Sequence, residues 1–124
     1  MAVVRDVMSA DLVAVEPSDL VTTAAAIMDA ARVGAALVMD HDVLKGIFTE
    51  RDVLRALRRE PVAALESPVS MWMTSEPMTV GPETRVVDAL RKMLKGGFRH
   101  LPVIADGHVV GVVSLRDLAR SLAG

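Results

Sequence analysis

The apolar positions of this chain change their period several times, and the changes occur twice in the same order. Val21, Ala24, Ala25 and Met28 fall at helical spacing, as do Val86, Ala89, Leu90 and Met93. Each stripe predicts an amphipathic helix with one buried face. Pro17-Ser18-Asp19 and Pro82-Glu83-Thr84 stand just ahead, supplying a capping residue and an early acidic side chain. Arg32-Val33-Gly34 and Gly96-Gly97 end the two helices, and short apolar runs follow, Ala36 to Met39 and Leu101 to Ile104. Runs of that length, bounded by turn residues, read as buried strands. Asp40-His41-Asp42 and Asp106-Gly107 then turn the chain into second strands, Val43 to Phe48 and His108 to Val113, the Asp-Gly pair being a strong hairpin signal. Thr49 and Ser114 put a hydroxyl where the N-cap of a closing helix is expected. Each half therefore reads strand, helix, strand, strand, helix.

The two halves are copies. Laid over each other without a gap, the segments starting Val7-Met8-Ser9 and Trp72-Met73-Thr74 share about a dozen identities over roughly fifty positions, where chance supplies about three or four. Pro17 meets Pro82, Val38 meets Val103, Gly46 meets Gly111, and Arg51-Asp52 meets Arg116-Asp117. The expected organisation is a first repeat over 1–60, a connector over 61–71 with Pro61 and Pro68, and a second repeat over 72–124. One copy alone would leave a face of its small sheet wet. The expected fold is thus α/β (α+β), with two tandem β-α-β-β-α repeats packed sheet to sheet about a pseudo-twofold axis.

Composition narrows the chemistry. The chain has 124 residues, 52% of them hydrophobic, a formal net charge of -2, and no cysteine. Disulfides and thiolate metal sites are excluded, and three scattered histidines do not suggest a zinc centre. No apolar run is long enough to cross a bilayer and no signal segment opens the chain, so no membrane role and a cytoplasmic location are expected. Arg55, Arg58 and Arg59 form a local basic cluster, which reads first as a solvated helix face. The eight methionines read as core and interface filler. With only three aromatic residues, Trp72 and Phe98 among them, stacking on a base must be sparse.

The most informative pattern is Gly46-Ile47-Phe48-Thr49-Glu50-Arg51-Asp52, echoed by Gly111-Val112-Val113-Ser114-Leu115-Arg116-Asp117. A cap hydroxyl and an aspartate three residues on share one side of the first helical turn, beside unpaired N–H groups at the positive end of the helix dipole. The carboxylate can accept from both hydroxyls of a ribose, while the cap hydroxyl and the N–H groups can take phosphate oxygens. The plain alternative is a capping box that only stabilises the helix. Repetition after a buried strand, with glycine three residues before the hydroxyl each time, makes the pattern specific.

Together with Arg99-His100-Leu101-Pro102-Val103-Ile104 and Asp106-Gly107, these motifs make the chain, apart from its ends and connector, resemble a CBS pair, also called a Bateman module. The resemblance implies regulatory binding of AMP, ADP, ATP or a related adenosine compound in clefts between the repeats, with no catalysis and no required cofactor. By it, Thr49 and Asp52 define one site with Gly34, Ala35 and Ile47, and Ser75 comes from the other repeat's opening segment. Ser114 and Asp117 define the second with Arg99, His100 and Val112, joined by Ser9 and Ala10. The first repeat lacks the proline of Leu101-Pro102-Val103 and has Gly34-Ala35 where the second has Arg99-His100. Unequal sites are expected, the second being the better phosphate binder. His100 reads equally as a phosphate contact or as a polar residue satisfied by backbone; His41 and His108 are expected in solvent.

No nucleophile stands beside a base and no phosphate-binding G-x-x-x-x-G-K-S loop is present, so no catalytic and no metal-binding residues are expected. Two other classes stay open: a ligand-free homodimerisation scaffold built on apolar helix faces, and nucleic-acid binding through Arg55, Arg58, Arg59 and Arg120. A homodimer and a separate effector protein are the expected partners, with nucleic acid the least favoured.

Overall fold

A computed structural model describes residues 1–123. In chain order the elements are α1 (Val4–Val7), β1 (Ala14–Val15), α2 (Val21–Ala31), β2 (Ala35–Asp40), β3 (Val43–Thr49), α3 (Glu50–Arg59), two 3-10 turns (Ala64–Glu66 and Val69–Met71), β4 (Thr74–Ser75), α4 (Val86–Gly96), β5 (His100–Ala105), β6 (His108–Ser114) and α5 (Leu115–Ala123). The fold is mixed α/β, with helix, hairpin and helix occurring twice, preceded by β1 in one copy and by the single bridging residue Val80 in the other. The chain divides into two compact units, one of Val13–Glu76 and one that joins Met1–Leu12 to the chain from Pro77 onward.

In the first of these units the strand order is β1-β2-β3-β4. β1 runs parallel to β2, β2 and β3 form the antiparallel hairpin, and β4 adds antiparallel to β3, with Gly46 opposite Ser75. Val15, Val21, Ala24, Met28, Val38 and Phe48 fill the core, closed by Ala64, Val69 and Trp72 from the turns after α3. Residues 64–72 are thus structural, although their sequence carries little periodicity.

The second unit repeats this arrangement. β5 and β6 form the hairpin with the same irregularity, between Val103 and Ile104, that the first hairpin has between Val38 and Met39. Val80 bridges Val103 in parallel and Ser9 bridges Val112 antiparallel, taking the places of β1 and β4. Val80, Val86, Ala89, Met93, Val103 and Val113 fill the core, with Val4 from α1 where the first unit has Val69. The equivalence of Val4 and Val69, both fully buried, carries the duplication upstream of Val7 and Trp72.

The entry to the long helices differs from the sequence expectation. The caps of α2 and α4 are Leu20 and Arg85, and neither makes a side-chain cap. Asp19 instead accepts from the Glu16 N–H at 2.8 Å, and Thr84 Oγ1 from the Gly81 N–H at 3.2 Å, closing the turns before the helices. Main-chain carbonyls serve the first helical amides: Val21 N–H donates to Ser67 O at 2.9 Å and Val86 N–H to Ala2 O at 3.1 Å. A passing backbone segment has replaced the side-chain cap, satisfying a donor that would otherwise be orphaned.

Two glycines let the added strands in. A Cβ on Gly46 would lie 2.6 Å from Thr74 O, and one on Gly111 would lie 2.8 Å from Ser9 O and 2.6 Å from Met8 Sδ. A backbone atom cannot step aside as a flexible side chain can. Gly46→Ala and Gly111→Ala should therefore each lower stability by about 1–3 kcal/mol in urea titration. Gly81→Ala, where a Cβ would meet nothing nearer than 3.9 Å, should be close to neutral.

Candidate functional site

The hairpin delivers each cap to the start of its closing helix. Thr49 ends β3 in extended conformation and caps α3: Asp52 N–H donates to Thr49 Oγ1 at 3.3 Å, and Thr49 N–H donates to Asp52 Oδ2 at 2.9 Å. The Thr49 hydroxyl also reaches Asp52 Oδ2 at 3.2 Å. Ser114 and Asp117 repeat the box, with Ser114 N–H to Asp117 Oδ2 at 3.0 Å and Asp117 N–H to Ser114 Oγ at 3.1 Å. The capping role is therefore real, and any ligand contact adds to it.

The remaining residues named from sequence gather around these boxes, and each set lies within one unit. Ala35 opens β2 opposite Thr49, and Gly34 O accepts from Glu50 N–H at 3.0 Å. Ile47 is buried two residues before Thr49 on the same side of β3, beside Thr74-Ser75 of β4. In the other unit His100 lies opposite Ser114, and Arg99 O accepts from Leu115 N–H at 2.8 Å. Ser9 exchanges hydrogen bonds with Val112 at 2.9 and 3.0 Å, and Ala10 follows it into solvent. Arg99 is exposed and His100 half-buried. His41 and His108, away from both boxes, are exposed.

The two aspartates differ in what else holds them. Asp52 is 7% exposed, the one charged residue in the buried set of the described residues. Its Oδ1 accepts from Arg55 Nη2 at 3.2 Å, and the same nitrogen donates to the carbonyl of Trp72. The guanidinium carbon lies 5.9 Å from the centre of the Trp72 ring, within cation–π range. Trp72 is anchored in turn: its indole N–H donates to Ser67 Oγ at 2.8 Å, and that hydroxyl donates to Ala64 O at 2.6 Å. Asp117 makes no ion pair with Arg120 among the described residues, and Val7 stands where Trp72 would be.

This corrects one expectation. Arg55 does not simply face solvent with Arg58 and Arg59: it is half-exposed and its guanidinium is turned onto Asp52. Trp72 is buried in its own unit's core with its N–H committed to Ser67. The Asp-to-Arg spacing of three was visible in sequence as a helix-face pair. It occurs in both repeats, however, and among the described residues only the Asp52–Arg55 pair, beside Trp72, is closed.

Family comparison agrees with this duplication. The model of the CBS domain matches residues 4–59 and 69–124. A 17.7 kDa protein of Acidianus ambivalens is 38% identical over 121 residues, 96% of this chain and 72% of that protein. The chain spans only 17% of the Arabidopsis thaliana protein CBSCBSPB1, to which it is 42% identical over 96 residues. Among solved structures, the CBS domain pair of protein MJ0100 in complex with 5′-methylthioadenosine and S-adenosyl-L-methionine superposes with a TM-score of 0.90 at 26% identity, covering 99% of this chain and 97% of that one. CBSX2 of Arabidopsis thaliana in complex with AMP gives 0.81 at 29% identity, covering 98% and 96%.

The unequal surroundings of the aspartates have a measurable consequence. Asp117→Ala removes the carboxylate half of a capping box and should cost about 1 kcal/mol. Asp52→Ala removes the same half of its box and also strips Arg55 of its partner in a half-buried position, and should cost about 2 kcal/mol. Equal losses in chemical denaturation would contradict the difference in packing.

Proposed function

Two copies of the CBS domain make up nearly all of this chain, which therefore belongs to the CBS-domain family, and from that premise we propose that it is a regulatory module that binds an adenosine-type ligand and catalyses nothing. The carrying observation is the paired Thr49/Asp52 and Ser114/Asp117 arrangement, each beside the opening of a hairpin strand, in a chain two of whose structural neighbours hold, in one case, 5′-methylthioadenosine and S-adenosyl-L-methionine and, in the other, AMP. In this reading the ribose hydroxyls donate to the carboxylate, and a phosphate is taken by the cap hydroxyl and the first amides of α3 or α5. Ile47 and Val112 provide the aliphatic walls against which the adenine rests, as the scarcity of aromatic residues requires.

The second-repeat site is the stronger one for a phosphorylated ligand. Arg99 and His100 stand at its rim, where the first repeat has Gly34 and Ala35 with no charge to offer. Binding acts as a population shift: the ligand favours one arrangement of the module, and a separate effector protein in the cytoplasm reads the exposed surface. Among the described residues no helix is long and apolar enough to cross a membrane.

A second reading rests on exposed apolar side chains, notably Leu54 on α3, 67% exposed, with Leu94 and Leu122. Exposed apolar side chains on helices favour self-association, so a homodimer accompanies the ligand-binding reading and replaces it if no ligand binds.

Thermal unfolding against AMP, ATP, S-adenosyl-L-methionine and 5′-methylthioadenosine, with GMP and CMP as controls, tests the proposal. A ligand at a hundred times its dissociation constant adds about 2.7 kcal/mol and raises the midpoint by several degrees. Asp117→Ala should abolish most of the rise for AMP. If no adenosine compound moves the midpoint, the scaffold reading takes its place.

A further inference from the structure

A carboxylate has about four acceptor positions, and a ribose presenting two hydroxyl groups needs two of them. Asp52 has three donors around it already: the Thr49 N–H, the Thr49 hydroxyl and Arg55 Nη2. Asp117, its counterpart, takes the Ser114 N–H and has no arginine on it among the described residues. The arginine itself is present in both repeats, as Arg55 and Arg120, three residues after the aspartate. What differs is the residue that holds it: the Trp72 carbonyl and ring face steady Arg55 over Asp52, and valine occupies the equivalent position in the other repeat.

We propose that Arg55 is an internal competitor for the Asp52 carboxylate, so that the first-repeat site accepts a ribose only when the guanidinium is displaced. This rests on the adenosine reading above and assigns Arg55 and Trp72 a part in it that the cap motif alone does not contain. The Asp52 side chain is 10% exposed and that of Arg55 is 40% exposed, so the carboxylate stays in place while the arginine has a path into water. Such a half-exposed pair is modest in strength, which makes it displaceable. Displacement breaks the Arg55 contacts to the carbonyl and the ring of Trp72, the only tryptophan in the chain. The two sites then fill in order, the Asp117 site first, and Trp72 senses the second event alone.

The test uses 5′-methylthioadenosine, whose lack of phosphate removes any direct attraction to arginine. In an Asp117→Ala background, calorimetric titration should show Arg55→Gln binding at least tenfold tighter than the protein that keeps Arg55. Equal or weaker binding overturns the competitor role. On the unmodified chain, which avoids any folding cost of the substitution, Trp72 emission should change only at ligand concentrations above those that saturate the first calorimetric event. Emission that follows the tighter event, or never changes, also overturns it. Asp52→Ala protein serves to separate the two claims. If it binds the probe while Arg55→Gln gains nothing, the competitor fails and the adenosine reading stands. If no variant binds the probe, both fail.

Discussion

Both candidate sites depend on a backbone segment passing close over a glycine. The chain at Met8-Ser9 crosses Gly111, and the chain at Met73-Thr74 crosses Gly46, at separations that leave no space for a Cβ. Because of this, neither unit is built from one repeat alone. Each takes its last sheet position from the opening of the other repeat, placing Ser9 beside Val112 and Ser75 beside Gly46. The β3 and β6 strands are thereby held from both sides just before they end at the caps. A helix start fixed in that way presents its hydroxyl, carboxylate and first amides in a defined geometry, which a cap at the end of a free hairpin would not.

Duplication made the two sites, and small changes around them made them different. The cap geometry is the same to within a few tenths of an ångström in both, because it is local: an extended Thr or Ser, three residues, and an Asp. The surroundings are not local. Trp72, Ser67 and Ala64 form a hydrogen-bonded line that ends on Arg55 and through it on Asp52. Among the described residues Arg120 makes no comparable hydrogen bond or ion pair, and Val7, at the position equivalent to Trp72, offers no aromatic face. Divergence after duplication thus acted on the partners of the aspartates, leaving the aspartates themselves unchanged.

The apolar periodicity, the two hairpin turns and the Thr49 and Ser114 caps could be read directly from residue order, because each is decided within a few residues. The places where residue order misled share one physical cause. Asp19 and Thr84 are good capping residues by type, yet main-chain carbonyls at Ser67 and Ala2 reach the helix starts first. Residues 61–71 read as a connector and yet supply Ala64 and Val69 to a core, where Trp72 from the opening of the second repeat joins them. Arg55 belongs to a basic run by sequence and to a buried carboxylate by packing.

By itself, then, the sequence determined the repeated order of elements, the chemistry available at the two caps and the membership of the family that carries that chemistry. These follow from local hydrogen bonding and from the period of the buried faces. Only the tertiary structure decided which carboxylate is already occupied. That depends on a tryptophan seventeen residues from the arginine it holds, a separation at which chain order no longer constrains distance and only packing does.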